Sequence, residues 1–152
     1  MTSPLGPSAP WSVMGLATLL GMLWVDWVFD TGGSIQEAKV YYCALLPTLF
    51  SFPQCLRILM PVAFSGVHIL ANLSEPSGAR VAHFATCAVL LFGGLPCFYI
   101  SVRAVQSMCS DTDMAEQIKT LQRAHAALFV IFLASIALET AGHAARTKSK
   151  EQ

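Results

Sequence analysis

Charge is scarce in this chain. Only 12% of its residues are Asp, Glu, Lys or Arg, and nine acids balance nine bases. A soluble domain carries about 25% charged residues. A neutral chain has no electrostatic footprint for nucleic acid, so no nucleic-acid partner is expected. Motifs of known chemistry are also missing. There is no Gly-rich phosphate loop and no nucleophile elbow. Cys43, Cys55, Cys87, Cys97 and Cys109 never fall into Cys-x-x-Cys spacing. His68, His83, His125 and His143 form no His-x-x-x-His or His-x-x-Glu pattern. No metal site, cofactor or catalytic residue is therefore expected. The opening MTSPLGPSAP holds no Lys or Arg, and no small-x-small site follows the first apolar run. A cleaved signal peptide does not fit that pattern.

Long apolar runs are what the chain does have. They span Trp11–Phe29, Ala44–Leu70, Val81–Val102 and Ala124–Leu138, with little polar sequence between them. A bilayer core about 30 Å thick takes about 20 residues of helix to cross. The apolar residues run round each helix rather than along one stripe, which points to lipid as the solvent instead of a very apolar soluble bundle. The expected fold class is all-α, an integral membrane bundle of four transmembrane helices with short loops. Residues 1–10 would form an N-terminal segment, 11–145 the membrane domain and 146–152 a tail.

The first run reads as an uncleaved anchor from Ser12 to Phe29. Trp24 and Trp27 lie near its far interface, and Asp26 and Asp30 at or just past the boundary. Pro47, Pro53 and Pro61 punctuate the second run, and bends are expected near Pro53 and Pro61. Arg57 either snorkels to an interface or sits inside the bundle, paired with Asp26 or Glu139. Gly93, Gly94 and Pro96 in the third run mark a kink or a close backbone approach. The stretch Gln106–Arg123 is the longest polar loop, and its charge order suits a short helix. His125 opens the fourth run, where it packs at the interface, bonds across helices or acts as a base. Glu139, near the end of that run, pairs with Arg57 or His143 or reaches water. The cysteines read first as free thiols serving as small hydrophobes. The alternative is a Cys43–Cys109 disulfide, since both approach one side.

Positive charge leaves orientation tied, with Arg80, Arg146, Lys148 and Lys150 on one side and Lys39, Arg103, Lys119 and Arg123 on the other. The ending Lys148-Ser149-Lys150-Glu151-Gln152 matches a dilysine retrieval signal of the endoplasmic reticulum, which coat proteins read in the cytosol. Both termini are then cytosolic, and Asn72 of the triplet Asn72-Leu73-Ser74 stays unglycosylated.

Three segments resemble a known family. Leu20-Gly21-Met22-Leu23-Trp24-Val25-Asp26-Trp27-Val28-Phe29-Asp30 looks like the end of the first span in the Shr family, the fungal packaging chaperones of amino-acid permeases. Ala38-Lys39-Val40-Tyr41-Tyr42-Cys43-Ala44-Leu45-Leu46-Pro47 resembles that family's paired tyrosines before a proline. Leu121-Gln122-Arg123-Ala124-His125-Ala126-Ala127 is similar to its small-residue entrance to span four. The chain departs from the family in its short tail, its short loop after the first span, and Val81-Ala82-His83-Phe84-Ala85 in place of an acidic entrance to span three.

The resemblance implies a chaperone of the reticulum membrane that shields transmembrane segments of newly made permeases, prevents their aggregation and assists their export. Partners would be polytopic membrane proteins, coat proteins through the tail, and the lipid bilayer. The client-facing or intramembrane polar residues would be Asp26, Pro53, Arg57, Pro61, Gly93, Gly94, His125 and Glu139. Four-span anthrone-oxygenase-like proteins are a second resemblance, implying a small membrane enzyme with His125, Arg123 and Tyr41 or Tyr42 around an apolar ring substrate. An accessory subunit of a larger membrane complex is a third reading.

Overall fold

The computed structural model describes residues 11–49, 62, 66–67, 77–110 and 113–150. Among these every regular element is a helix. In chain order they are α1 (Trp11–Gly32), α2 (Ile35–Leu49), α3 (Ser77–Val89), a π-helical turn (Leu90–Gly94), α4 (Leu95–Cys109) and α5 (Met114–Lys150). Three stretches are long and apolar enough to cross a membrane: Ser12–Gly32, Ala79–Cys109 and Met114–Ala145. Pro53, Arg57 and Pro61 lie outside the described residues, as does most of the second apolar run.

The central helix is α5. It packs on α1, α2, α3, the π turn and α4, while α1 and α3 flank it without meeting each other among the described residues. The sequence of α5 explains its place. Ile118, Leu121, His125, Leu128, Ser135, Glu139 and Gly142 are all buried, and they recur at steps of three, four or seven residues. That spacing keeps one stripe of a helix facing its neighbours. In α1 the buried positions Ser12, Leu16, Leu23 and Asp30 repeat the pattern. The outward positions are apolar in turn, with Phe92 on the π turn 78% exposed and Tyr99 on α4 63% exposed.

Two boundaries differ from those expected. The second helix begins at Ile35, well before Ala44. Ser34 and Glu37 form a capping box there: Ser34 N–H donates to Glu37 Oε2 at 2.7 Å, and Glu37 N–H donates to Ser34 Oγ at 3.2 Å. The polar stretch Gln106–Arg123 is not a long loop with its own short helix. It is the end of α4, a brief turn, and the first turns of α5. The turn places Asp113 in the left-handed region at φ 38°, and its carbonyl accepts from the amides of Glu116 and Gln117, both at 3.1 Å. The apolar stripe simply continues back through Ile118 and Leu121, so helical packing overrides local polarity.

The kink expected near Pro96 appears as the π turn. Pro96 lacks an N–H and would crowd the carbonyl four residues back. Widening the turn removes that demand, and Leu95 N–H donates to Leu90 O instead. α3, the π turn and α4 thus form one continuous helix. Gly93 and Gly94 face α5: a Cβ on Gly93 would lie 3.1 Å from Ile131 Cδ1, and one on Gly94 3.8 Å from Ile131 Cγ2. An equally close approach is lower down, where a Cβ on Gly142 would lie 3.1 Å from Ala82 Cβ and 3.6 Å from Ala79 O.

A disulfide joins Cys43 of α2 to Cys109 of α4 across 66 residues of sequence. This corrects the reading of these two as free thiols; Cys87 and Cys97 are free. The bond lies at the edge of a small core in which Ala38 and Tyr42 meet Ala104, Val105, Met108, Ile118 and Leu121. Closing a loop of that size limits the unfolded chain by at most about 4 kcal/mol, less where the unlinked helices already share a bilayer.

Two expectations follow from the packing. Gly142→Ala meets a stiff methyl and a backbone carbonyl, so it should cost about 1–3 kcal/mol of overpacking. Gly93→Ala meets the mobile end of Ile131 and should be nearly neutral. Thermal unfolding of the two variants in one detergent measures both, and equal losses would contradict the contrast. The capping box adds a pH dependence. Its hydrogen bonds from the Ser34 backbone and hydroxyl lower the Glu37 pKa. A lowered folded pKa stabilises above the usual glutamate range and is lost as pH falls through the lowered value. The protection factors of the first-turn amides of α2, which compare exchange with the unfolded chain at the same pH, should therefore fall on acidification in the native chain and not in Glu37→Gln.

Candidate functional site

Two buried carboxylate–imidazole pairs lie about four turns apart along α5. The first joins Asp30, in the last turns of α1, to His125 on α5, with Oδ2 to Nδ1 at 2.6 Å. The Asp30 side chain is 0% exposed and that of His125 6%. Tyr42 of α2 donates its hydroxyl to Asp30 Oδ1 at 2.6 Å and lies 3.2 Å from the Asp26 carbonyl. Gln122 Nε2 donates to the Asp30 carbonyl at 2.6 Å. Tyr41 donates to Asp26 Oδ1 at 2.9 Å, and its ring stacks on Phe29 with centroids 3.9 Å apart. Three helices thus contribute to one cluster. Both Asp30 oxygens are engaged, Oδ1 by Tyr42 and Oδ2 by His125.

The second pair joins Glu139 on α5 to His83 on α3. His83 Nδ1 lies 3.0 Å from Oε1 and 3.1 Å from Oε2, and Ser12 of α1 donates its hydroxyl to Oε2 at 2.7 Å. Glu139 and Ser12 are 0% exposed. One carboxylate therefore ties two helices that do not pack on each other among the described residues. Gly142 lies beside the pair: a Cβ there would be in ordinary contact with His83 Cε1 at 3.6 Å. The His143 ring packs edge-on against His83, with centroids 6.1 Å apart. Ser135, one turn before Glu139, has a buried hydroxyl with no hydrogen-bond partner among the described residues.

Several expected residues gain definite places. His125 bonds across helices, one of the three roles open to it. Glu139 does not reach water; His83 and Ser12 hold it. Asp26 is engaged by Tyr41 of the next helix. Arg123 is exposed and outside the cluster. Lys148 and Lys150 continue the helical backbone of α5. Ser12, Asp30, Tyr42, His83 and Gln122 carry the network, yet composition and spacing single out none of them as a site. One signal existed: Ser12, Leu16, Leu23 and Asp30 share a helical face, so the two polar members turn inward with the leucines.

Beside Tyr41 an open-sided apolar groove of about 420 Å³ is lined by Phe29, Gln36, Glu37, Val40 and Tyr41. Among the described residues no group of three or more His, Cys, Asp or Glu is arranged to hold a metal ion. Comparison with protein-family models, curated proteins and solved structures finds no match to this chain.

Charges this deeply buried depend on their partners. Removing one member of a buried pair leaves the other uncompensated and typically costs about 3–5 kcal/mol. Asp30→Ala and His125→Ala should each destabilise the protein by that order. The double variant should fall well short of the sum, because neither buried polar partner is then stranded. Additive losses in detergent unfolding would show the pair to be uncoupled.

Proposed function

We propose that the chain is an all-α, four-span membrane protein of the endoplasmic reticulum with both termini in the cytosol. There it acts as a packaging chaperone that shields transmembrane segments of newly made amino-acid permeases, prevents their aggregation and assists their export. The resemblance to the Shr family supplies the client class. The observation that supports a helix-shielding role is the outer face of α1. Met14, Ala17, Thr18, Gly21, Val25 and Val28 are exposed along one side of that helix. Nothing lies within 4 Å of a Cβ placed on Gly21.

Lipid tails are as apolar as leucine, so helices associate in a bilayer through close packing and interhelical hydrogen bonds worth about 0.6 kcal/mol each. A smooth face of small residues suits brief contact with a client span. Gly93 and Gly94 already admit Ile131 of the same chain, so we assign the client contact to α1. The disulfide supports the orientation. It sits at the end where α1 leads to α2 and α4 leads to α5. Disulfides persist in the oxidising lumen, which leaves the start of α1 and the Lys148/Lys150 tail on the cytosolic side.

Gly21→Leu should leave the protein inserted while permeases aggregate in the reticulum and fall at the cell surface. Normal permease levels in that variant would sink the proposed surface. Lys148→Ser with Lys150→Ser should let the protein leak to later compartments, and Asn72 should stay unmodified. A glycan on Asn72 would invert the topology.

One observation favours a second reading. Tyr41, Tyr42 and His125 converge, as the enzyme resemblance requires, with ring centroids 5.0 Å apart for the tyrosines and 6.3 Å for Tyr42 and His125. Arg123 does not join them. Loss of function in His125→Gln in a stably folded protein, with Gly21→Leu harmless, would move the assignment to that enzyme.

A further inference from the structure

Among the described residues, the largest wholly buried side chains include five polar ones: Ser12 of α1, His83 and Thr86 of α3, and Ser135 and Glu139 of α5. Ser12 opens its span, His83 stands four residues past Ala79, and Glu139 six residues before Ala145. At 1.5 Å per residue these three lie within about 10 Å of the span ends. Thr86 spends its hydroxyl on Ala82 O at 3.0 Å, whereas that of Ser135, one turn before Glu139, has no hydrogen-bond partner among the described residues. Its oxygen can accept from a protonated carboxyl on the same buried stripe. Two other titratable groups are near. The His143 ring on α5 lies 6.1 Å from that of His83, and the Cys87 thiol on α3 is within electrostatic reach of Glu139. Arg80, at the start of α3, is exposed. α1 has no titratable side chain before Asp26, and the π turn has none. α2 and α4 share their buried core with α5 round Ile118 and Leu121, about five turns from Glu139.

We propose that this cluster is an intramembrane proton-binding site: closing α1 over Glu139 and His83 traps one proton, which couples the packing of α1 to pH. A net charge enclosed in apolar surroundings costs far more than a neutral pair. Ser12 and Leu16, one turn apart on α1, are both 0% exposed, and the closed pair beneath them is neutral overall. It therefore keeps one titratable proton, on the imidazole or on the carboxyl. When the start of α1 opens, water reaches both groups and they titrate as hydrated side chains. A hydrated carboxyl is ionised above about pH 4.3, and a hydrated imidazole is neutral above about pH 6.5. Between those values the open pair also holds one proton, and closing moves none. Above them the open pair has given its proton to water, and closing takes one back. The closed state then binds more protons than the open one, so it weakens as pH rises. The inference goes beyond the chaperone reading and does not require it.

The test is amide hydrogen exchange on the full chain in lipid nanodiscs, read as protection factors of residues 16–20 relative to the unfolded chain at each pH. Protection should be flat from about pH 5 to about pH 6 and fall about tenfold per pH unit above about pH 7. Glu139→Gln has no carboxyl to share the proton, so its profile should be flat above about pH 7. His83→Asn leaves Glu139 to take the proton alone, and its fall should begin near about pH 5. Cys87→Ser and His143→Asn should keep the native profile. A flat native profile above neutrality would overturn the site, as would an undiminished slope in Glu139→Gln. Protection that rises with pH would overturn it too, because the closed pair would then hold an unbalanced negative charge. A slope lost in Cys87→Ser or His143→Asn would place the proton elsewhere and sink the assignment. So would a profile set by sodium concentration instead of pH. No client is present in the assay, so its outcome leaves the chaperone reading untouched.

Discussion

A buried carboxylate in apolar surroundings must be held by donors, and this protein is organised round two of them. Glu139 and Asp30 are almost wholly hidden, and each draws polar side chains from more than one helix. The cost of burying a charge makes these contacts selective. A helix rotated by one position would strand an ion, whereas an apolar seam of leucines would tolerate the slip. Register between α1 and α5 is thus set at both ends, by Ser12–Glu139 and Asp30–His125.

Small residues let those contacts form. Gly142 lets α5 approach α3 beside the His83–Glu139 pair, where a Cβ would lie 3.1 Å from Ala82 Cβ. Farther along, Gly93 admits Ile131, and the π turn absorbs Pro96 without breaking the helix. Shape and polarity therefore cooperate. The glycines and alanines bring backbones close, and the ionisable pairs fix which residues then face each other.

The helical segments were legible in the residues, because apolar runs near twenty residues have few other stable forms. Element ends were less so. The capping box Ser34-Ile35-Gln36-Glu37 was a readable start signal for α2, while the fusion of 114–123 with the fourth run was hidden by its charges. The polar clusters were hardly legible. Asp30 and His125 are 95 residues apart, and Ser12 and Glu139 are 127 apart. No local spacing connects such pairs. Of the residues expected to matter, Asp26, His125 and Glu139 proved to be network members, and Gly93 and Gly94 internal packing positions.

The sequence by itself determined composition, helical class and the positions of the apolar runs, since backbone hydrogen bonding and apolar length act locally. It also limited the histidines and cysteines to packing, pairing or isolated roles by denying them motif spacing. Only the tertiary structure decided which cysteines bond, which histidine meets which acid, and which glycines are already filled. Those outcomes depend on how α1, α3 and α4 are arranged about α5. A buried ion accepts whichever donor packing brings within 3 Å, and that choice is made in space rather than along the chain.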